Sequence, residues 1–305
     1  MTQAAIQPVS FLLSETDFPA FAAALGASFA RHGFAIVADH GLPEGLTEGM
    51  LSDTKALFAL PDAIKARYLV PGGAGQRGYT PFAVETAKDA ASPDLKEFWH
   101  VGRPDLPALK NVWPAEVPDF RAHAQGLFAA LEALGGKILA AIGLYLDLEP
   151  GLLEGAARKG NSVLRLLHYP SADFDGPSLR ASPHEDINAI TLLLGAEEAG
   201  LEILDRGGAW LAINPPPGAV VVNIGDMLAR LTNDILPSTT HRVVNPTAAR
   251  RGVARYSMPF FLHFRSDFLI ETLPKCVTRE HPSRYPEPIT VGGFLSQRLK
   301  EIGLA

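Results

Sequence analysis

The chain has 305 residues, 47% of them hydrophobic and 20% charged, with a net charge of −6. That length suits one large domain or two ordinary ones, and the composition is that of a globular protein. An acidic balance with no basic block argues against nucleic acid as a partner, and a single cysteine, Cys276, excludes an internal disulfide framework.

Residues 1–6 lack the charged region and apolar core of a signal peptide. No run reaches the roughly 18 apolar residues that a membrane span needs, so the expectation is a cytoplasmic protein with no membrane partner. Residues 7–12 predict a short strand. Ser14-Glu15-Thr16-Asp17 then offers N-caps to a helix reaching about Arg31, which Gly33 ends. Phe34 to Val37 reads as a strand, a second helix follows Pro43 to about Leu57, and Pro61-Asp62 starts another.

Residues 71–103 change character. Pro71 to Pro81 is glycine-rich, but no Gly-Lys-Ser/Thr follows, so it is not a phosphate loop. Gly78 to Arg103 mixes aromatics (Tyr79, Phe82, Phe98, Trp99) with charges (Glu85, Lys88, Lys96, Glu97, Arg103). That mixture suits a loop closing over a small metabolite with an apolar body and polar ends. Tyr79 and Trp99 are the expected substrate contacts.

Pro118 to about Leu146 is the longest helical pattern, with apolar residues at helical spacing and Gly135-Gly136 marking either a kink or close packing. Packing against a sheet explains it more simply than an oligomer face, and the sequence sets no oligomeric state. From Asn161 to about Phe264 short strands alternate with turns, as in a sandwich, barrel or jelly roll. No internal repeat is visible. The tail is loop-like until a last helix at Phe294 to Ile302.

Within the strand-rich region, Pro183 to Leu194 begins polar and ends as an apolar run, reading as one strand that enters a core. On such a strand His184 and Asp186 share a face and Glu185 points away. With His241, 55 residues after Asp186, they make two histidines and a carboxylate, the facial set of non-haem Fe(II) oxygenases. Zinc accepts the same set. Arg255 and Ser257 share a face of the next strand-like run, and a guanidinium fork beside a hydroxyl suits a carboxylate. A hydrolytic zinc site has no need of such a clamp, which favours iron.

His184-x-Asp186, His241 and Arg255-x-Ser257 together resemble the signature of 2-oxoglutarate/Fe(II)-dependent dioxygenases of the isopenicillin N synthase-like branch. Gly33 to Leu42 is similar to that branch's N-terminal segment, and Val222 to Leu228 to its Asn-Ile-Gly-Asp-x-Leu turn. The resemblance covers nearly the whole chain. It implies a mainly β fold with flanking helices and a double-stranded β-helix, or jelly-roll, core. It implies a single oxygenase domain over 1–305, with an N-terminal helix/strand region at 1–115 packed on a core at 160–265. It implies that His184, Asp186 and His241 hold Fe(II) and that Arg255 and Ser257 hold the distal carboxylate of 2-oxoglutarate. The two cosubstrates would be 2-oxoglutarate and O2.

Arg251 also stands at a spacing seen in the family, but no serine follows it at the right offset. Tyr169, before Pro170, matches the tyrosine of the family's Asn-x-Tyr-Pro, which touches the cosubstrate. Leu167 replaces the asparagine, and His168 should face the other way. The implied activity is decarboxylation of 2-oxoglutarate coupled to hydroxylation, desaturation or ring formation on a small molecule. An oxidase independent of 2-oxoglutarate, an ethylene-forming enzyme or a non-catalytic binding protein can share the scaffold.

Overall fold

The computed structural model describes residues 6–73, 75–82, 84, 94–106, 109–171, 179–194, 200–245 and 252–301. The chain opens with strand β1 (Pro8–Ser10), a helical turn α1 (Leu13–Thr16) and helix α2 (Phe18–His32). Of the four candidate caps it is Asp17 that acts, its carboxylate accepting from the Ala20 amide at 3.0 Å. Gly33 closes the helix at φ 67°, a left-handed position that glycine adopts without a Cβ penalty. Strand β2 (Phe34–Ala38), helix α3 (Glu44–Phe58) and the short α4 (Asp62–Lys65) follow as predicted.

The next stretch departs from expectation. Its two ends are strands, β3 (Gly78–Thr80) and β4 (Glu97–Gly102), every residue of which is buried. Residues 83 and 85–93, including Glu85 and Lys88, lie outside the described residues. Helix α5 (Phe120–Tyr145) and the short α6 (Leu152–Ala157) lead into β5 (Val163–Tyr169). Then come β6 (Ala181–His184), β7 (Ile190–Leu194), β8 (Leu201–Leu204), β9 (Trp210–Ala212) and β10 (Val220–Ile224). The chain finishes with α7 (Asp226–Leu231), β11 (His241–Val243), β12 (Arg255–Leu262), β13 (Leu269–Ile270), β14 (Ile289–Thr290) and α8 (Val291–Glu301).

The larger sheet has the order β1-β2-β10-β7-β12-β5-β4-β3, and the smaller the order β6-β11-β8-β9. The two face each other as a double-stranded β-helix, and β1 to β4 extend the larger sheet at both edges. Side chains alternate between its faces. On β12, Arg255, Ser257, Pro259 and Phe261 line the cavity between the sheets. Met258, Phe260 and Leu262 join the main apolar core on the other face, under the helices.

Helix α5 packs against α2, α3 and that outer face. Of its glycine pair, Gly135 marks close packing, since a Cβ there would come within 2.5 Å of Leu262, whereas a Cβ on Gly136 would meet nothing within 4 Å. One expectation about this helix needs correction. Its most apolar 18-residue window reaches a mean hydropathy of 1.7, enough by length and composition to cross a bilayer, yet over half of that window is buried in the protein. The helix is apolar because it is enclosed on several sides by protein.

Candidate active site

The predicted single strand from Pro183 to Leu194 is in fact two strands in different sheets. β6 ends at His184 in the smaller sheet, and β7 begins at Ile190 in the larger. Residues 185–189 cross between them, fixed by backbone bonds from Asp226 to the Asp186 carbonyl (2.7 Å) and from Gly225 to that of Ala189 (2.9 Å). A Cβ on Gly225 would meet the Asn188 carbonyl at 2.2 Å, so only glycine fits that approach. His184 and Asp186 therefore converge through a turn of chain and not through strand alternation.

His241 begins β11 directly across from His184 in the antiparallel pair. Their rings lie 4.3 Å apart. Each Nε2 is 3.9 Å from Asp186 Oδ1, and one ligand atom from each of the three residues falls within 4.8 Å of the others. The far nitrogens are committed: His184 Nδ1 bonds the Ser182 carbonyl at 2.7 Å and His241 Nδ1 that of Thr239 at 3.1 Å. As Nδ1–H donors they leave both Nε2 lone pairs facing the centre. Asp186 Oδ2 accepts from Thr191 Oγ1 and from Asn223 Nδ2 (2.8 Å), which leaves Oδ1 to face the imidazoles.

Two imidazole nitrogens and one carboxylate oxygen, converging from one side, are the donor set that suits Fe(II). Burial, then the neighbouring His241, lowers the His184 pKa from 6.5 to about 4, so its ring is neutral and ready to bind at pH 7. Burial opposes the charged form of Asp186, but the two histidines and the bonds from Asn223 and Thr191 outweigh it and hold the carboxyl below its ordinary value.

His263, just beyond β12, is likewise pushed down to about 4 by burial. A group whose folded pKa is depressed contributes stability above its unfolded pKa and loses it as pH falls through the folded one. The metal-free protein is therefore expected to lose stability between about pH 6.5 and pH 4 as unfolded histidines take up protons. Urea midpoints measured across that range check it, and a flat profile contradicts it.

Arg255 and Ser257 line the same cavity, which encloses about 70 Å³. The guanidinium is 1% exposed, donates to Ser257 Oγ at 3.2 Å and lies 5.2 Å over the ring of Tyr169. Tyr169 stands opposite Arg255 on β5, with Leu167 opposite Ser257. Leu167 also lines the cavity, so an apolar wall replaces the family's asparagine. Arg251 lies outside the described residues. His168 faces the other way as expected, stacked on Tyr256 at 4.9 Å and bonded to Glu97 at 2.7 Å.

The two expected substrate contacts are misplaced. Tyr79 and Trp99 pair across β3 and β4 on the helix-facing side of the sheet. Tyr79 donates to Glu97 at 2.6 Å, where Lys65 also binds. Trp99 is fully buried against Tyr68 and Phe120. The aromatic-and-charged pattern is that of a strand buried on both faces, and the charges are paired inside. Trp99→Ala is accordingly expected to cost about 3–5 kcal/mol of stability, read by urea denaturation. Trp99→Phe should keep substrate oxidation coupled to decarboxylation, since Trp99 Nε1 has no hydrogen-bond partner among the described residues to lose. Uncoupling in a stable Trp99→Phe would return the residue to the substrate.

The cavity-facing residues of this segment are instead those of opposite parity. Lys96 lines the cavity, paired with Asp94 at 2.7 Å, and Asp94 also accepts from the Ser182 amide. On β5, Arg165 lies between the rings of Phe98 (4.2 Å) and Phe261 (5.1 Å), its Nε donating to His100. Arg165 was findable from the same period of two that turned His168 away from Tyr169. Lys96 was not, because β4 carried no strand signal of its own.

Comparison with known proteins bears on this geometry. The model of the 2OG-Fe(II) oxygenase superfamily matches residues 160–264, and that of the non-haem dioxygenase in morphine synthesis N-terminal region matches residues 6–116. The 2-oxoglutarate-Fe(II) type oxidoreductase hxnY of Emericella nidulans is 33% identical over 288 residues, covering 88% of this chain and 81% of its own. The chain belongs to the 2-oxoglutarate/Fe(II)-dependent oxygenases.

A crystal structure of a 2OG-Fe(II) oxygenase family protein from Caulobacter crescentus superposes on this oxygenase with a TM-score of 0.91 at 56% identity, covering 98% of this chain and 100% of that one. A full-length Neurospora crassa protein, crystallised in complex with α-ketoglutarate (2-oxoglutarate) and thymine, gives 0.88 at 28% identity over 97% and 96% of the two chains. The oxygenase is thus an enzyme that uses Fe(II), 2-oxoglutarate and O2 to oxidise a small molecule.

Proposed function

We propose that His184, Asp186 and His241 hold the iron, that Arg255 and Ser257 hold the distal carboxylate of 2-oxoglutarate with Tyr169 beside them, and that the substrate is a small polar metabolite that the enzyme hydroxylates. The observation that carries this reading is the convergence of the three ligand atoms and the buried Arg255 fork on one cavity. Bound there, iron with 2-oxoglutarate and O2 supplies an oxidative decarboxylation that drives oxidation of a C–H bond.

The chain's own residues have the remaining tasks. Ser182 and Thr239 carbonyls fix the imidazole tautomers, and Thr191 and Asn223 aim the carboxylate. The Arg255 fork orients the cosubstrate, and the apolar walls Leu167, Leu193 and Phe261 keep water from the reacting centre. Lys96 and Arg165, the further cations on the cavity wall, suit a substrate with carbonyl or carboxylate oxygens. The Neurospora crassa complex with thymine, a small molecule with two carbonyls, is consistent with that class. The whole chain acts as one oxygenase unit, with residues 1–115 packed on the core at 160–265. The lone, buried Cys276 agrees with a reducing cytoplasm.

The test is a screen of small carbonyl- and carboxylate-bearing metabolites against matched apolar ones, following succinate and oxidised product together. Stoichiometric product from a polar member supports the reading. Coupled turnover with apolar compounds alone refutes the substrate class.

A further inference from the structure

Glu185, between His184 and Asp186, lines a different and larger cavity of about 630 Å³, walled by α7, α8 and the tail around His281 to Tyr285. Four guanidiniums and three carboxylates reach it. The carboxylates are engaged. Asp226 pairs with Arg298 at 2.8 Å, Asp234 with Arg284 at 2.6 Å, and Glu185 accepts from the Thr240 hydroxyl.

Two guanidiniums remain, and among the described residues neither meets a carboxylate. Arg206, on the exposed β8–β9 turn, donates to the Ala30 carbonyl at 2.7 Å. Arg230, on α7, donates through Nη2 to the Glu287 carbonyl at 2.5 Å and lies 4.9 Å over the Tyr285 ring. Its Nε is buried and has no acceptor among the described residues. Guanidiniums that line a cavity without a carboxylate of their own favour an anion there, and a fork-shaped cation selects oxygen pairs.

We propose that this cavity is a second binding site, for a small oxyanion (a carboxylate or a phosphate), held by Arg230 and Arg206. It rests on none of the iron or cosubstrate assignments. A ligand there would lie against Glu185 and so against the chain that carries two of the three candidate iron ligands.

Titration calorimetry on the metal-free full-length protein, at constant ionic strength in chloride, tests it with inorganic phosphate and with succinate as probes. Saturable binding of at least one probe is expected. Arg230→Gln should weaken it about tenfold, the loss of one charge-assisted bond. Arg206→Gln, on an exposed turn that tolerates substitution, should weaken it by a smaller factor and keeps the test open if Arg230→Gln does not fold. Arg255→Gln should leave phosphate binding unchanged and remove only that part of succinate binding that belongs to the cosubstrate clamp. Tighter phosphate points to a phosphorylated metabolite, and tighter succinate to a dicarboxylate. Absence of saturable binding in the wild type overturns the proposal. So does binding that Arg255→Gln removes and the Arg206 and Arg230 variants leave intact.

Discussion

Replacing His241 by alanine is expected to remove Fe(II) binding and turnover together while leaving the fold in place. The imidazole sits at the start of a short strand, its ring edge-on to Phe34 at 5.4 Å, with its reactive nitrogen facing a cavity. Without it two donors remain. The loss in Fe(II) affinity should exceed the roughly 10–100-fold that outer-shell partners usually cost. His184→Ala should behave alike. Asp186→Ala should in addition destabilise the metal-free protein, because Asn223 loses its acceptor, at about 1–3 kcal/mol for a buried group left unpaired, while Thr191 keeps the longer bond to Asn188. Asn223→Ala leaves all three donors and should stay within the outer-shell range. Anaerobic Fe(II) titration and urea denaturation of the same variants separate these cases. Wild-type affinity in all three ligand variants would show that the iron lies elsewhere.

The second large effect belongs to Arg255. Removing a buried cation from its anionic partner typically costs about 2–5 kcal/mol, or roughly 30-fold to several thousand-fold in affinity. Arg255→Ala should therefore raise the concentration of 2-oxoglutarate needed for turnover by such a factor, with Fe(II) affinity nearly unchanged. Arg255→Lys should recover only part, because a point charge cannot make two parallel bonds or lie over the Tyr169 ring in the same way. Ser257→Ala removes one hydroxyl and should cost less. The rival is Arg251: a larger rise in Arg251→Ala than in Arg255→Ala would move the clamp four residues back along the chain.

Much of this was legible in the residues. A cap among Ser14 to Asp17, the stop at Gly33 and the strand at β12 follow from local chemistry, and alternation along β12 put Arg255 and Ser257 on one face. Alternation failed where the chain leaves a sheet. His184 and Asp186 meet because residues 185–189 cross between sheets, a path set by distant backbone bonds to Gly225 and Asp226. It also failed for β4. There a strand buried on both faces hides its period, and the buried charges Lys96 and Glu97 look like solvated ones until their partners Asp94, Lys65 and His168 come into view. The split of Trp99 from Phe98 between the two sides of the sheet depended on a strand that the composition did not announce.

The division of the three candidate ligands between sheets bears on motion. Two stand on β6 and β11 of the small sheet, and the third on the crossover that climbs to β7 of the large one. An ion gripped by all three works as a rivet at one end of the sandwich. Without it, the small sheet is held chiefly by the apolar group Phe34, Ile36, Leu201, Ile203, Ile213 and Val221, and short strands of this kind open as a unit before the whole protein unfolds. Iron loading should then slow amide hydrogen exchange in β6, β8 and β11 by up to the full binding free energy, about 4 kcal/mol at a thousandfold excess over Kd. β5 and β12, clamped within the eight-stranded sheet, should barely respond.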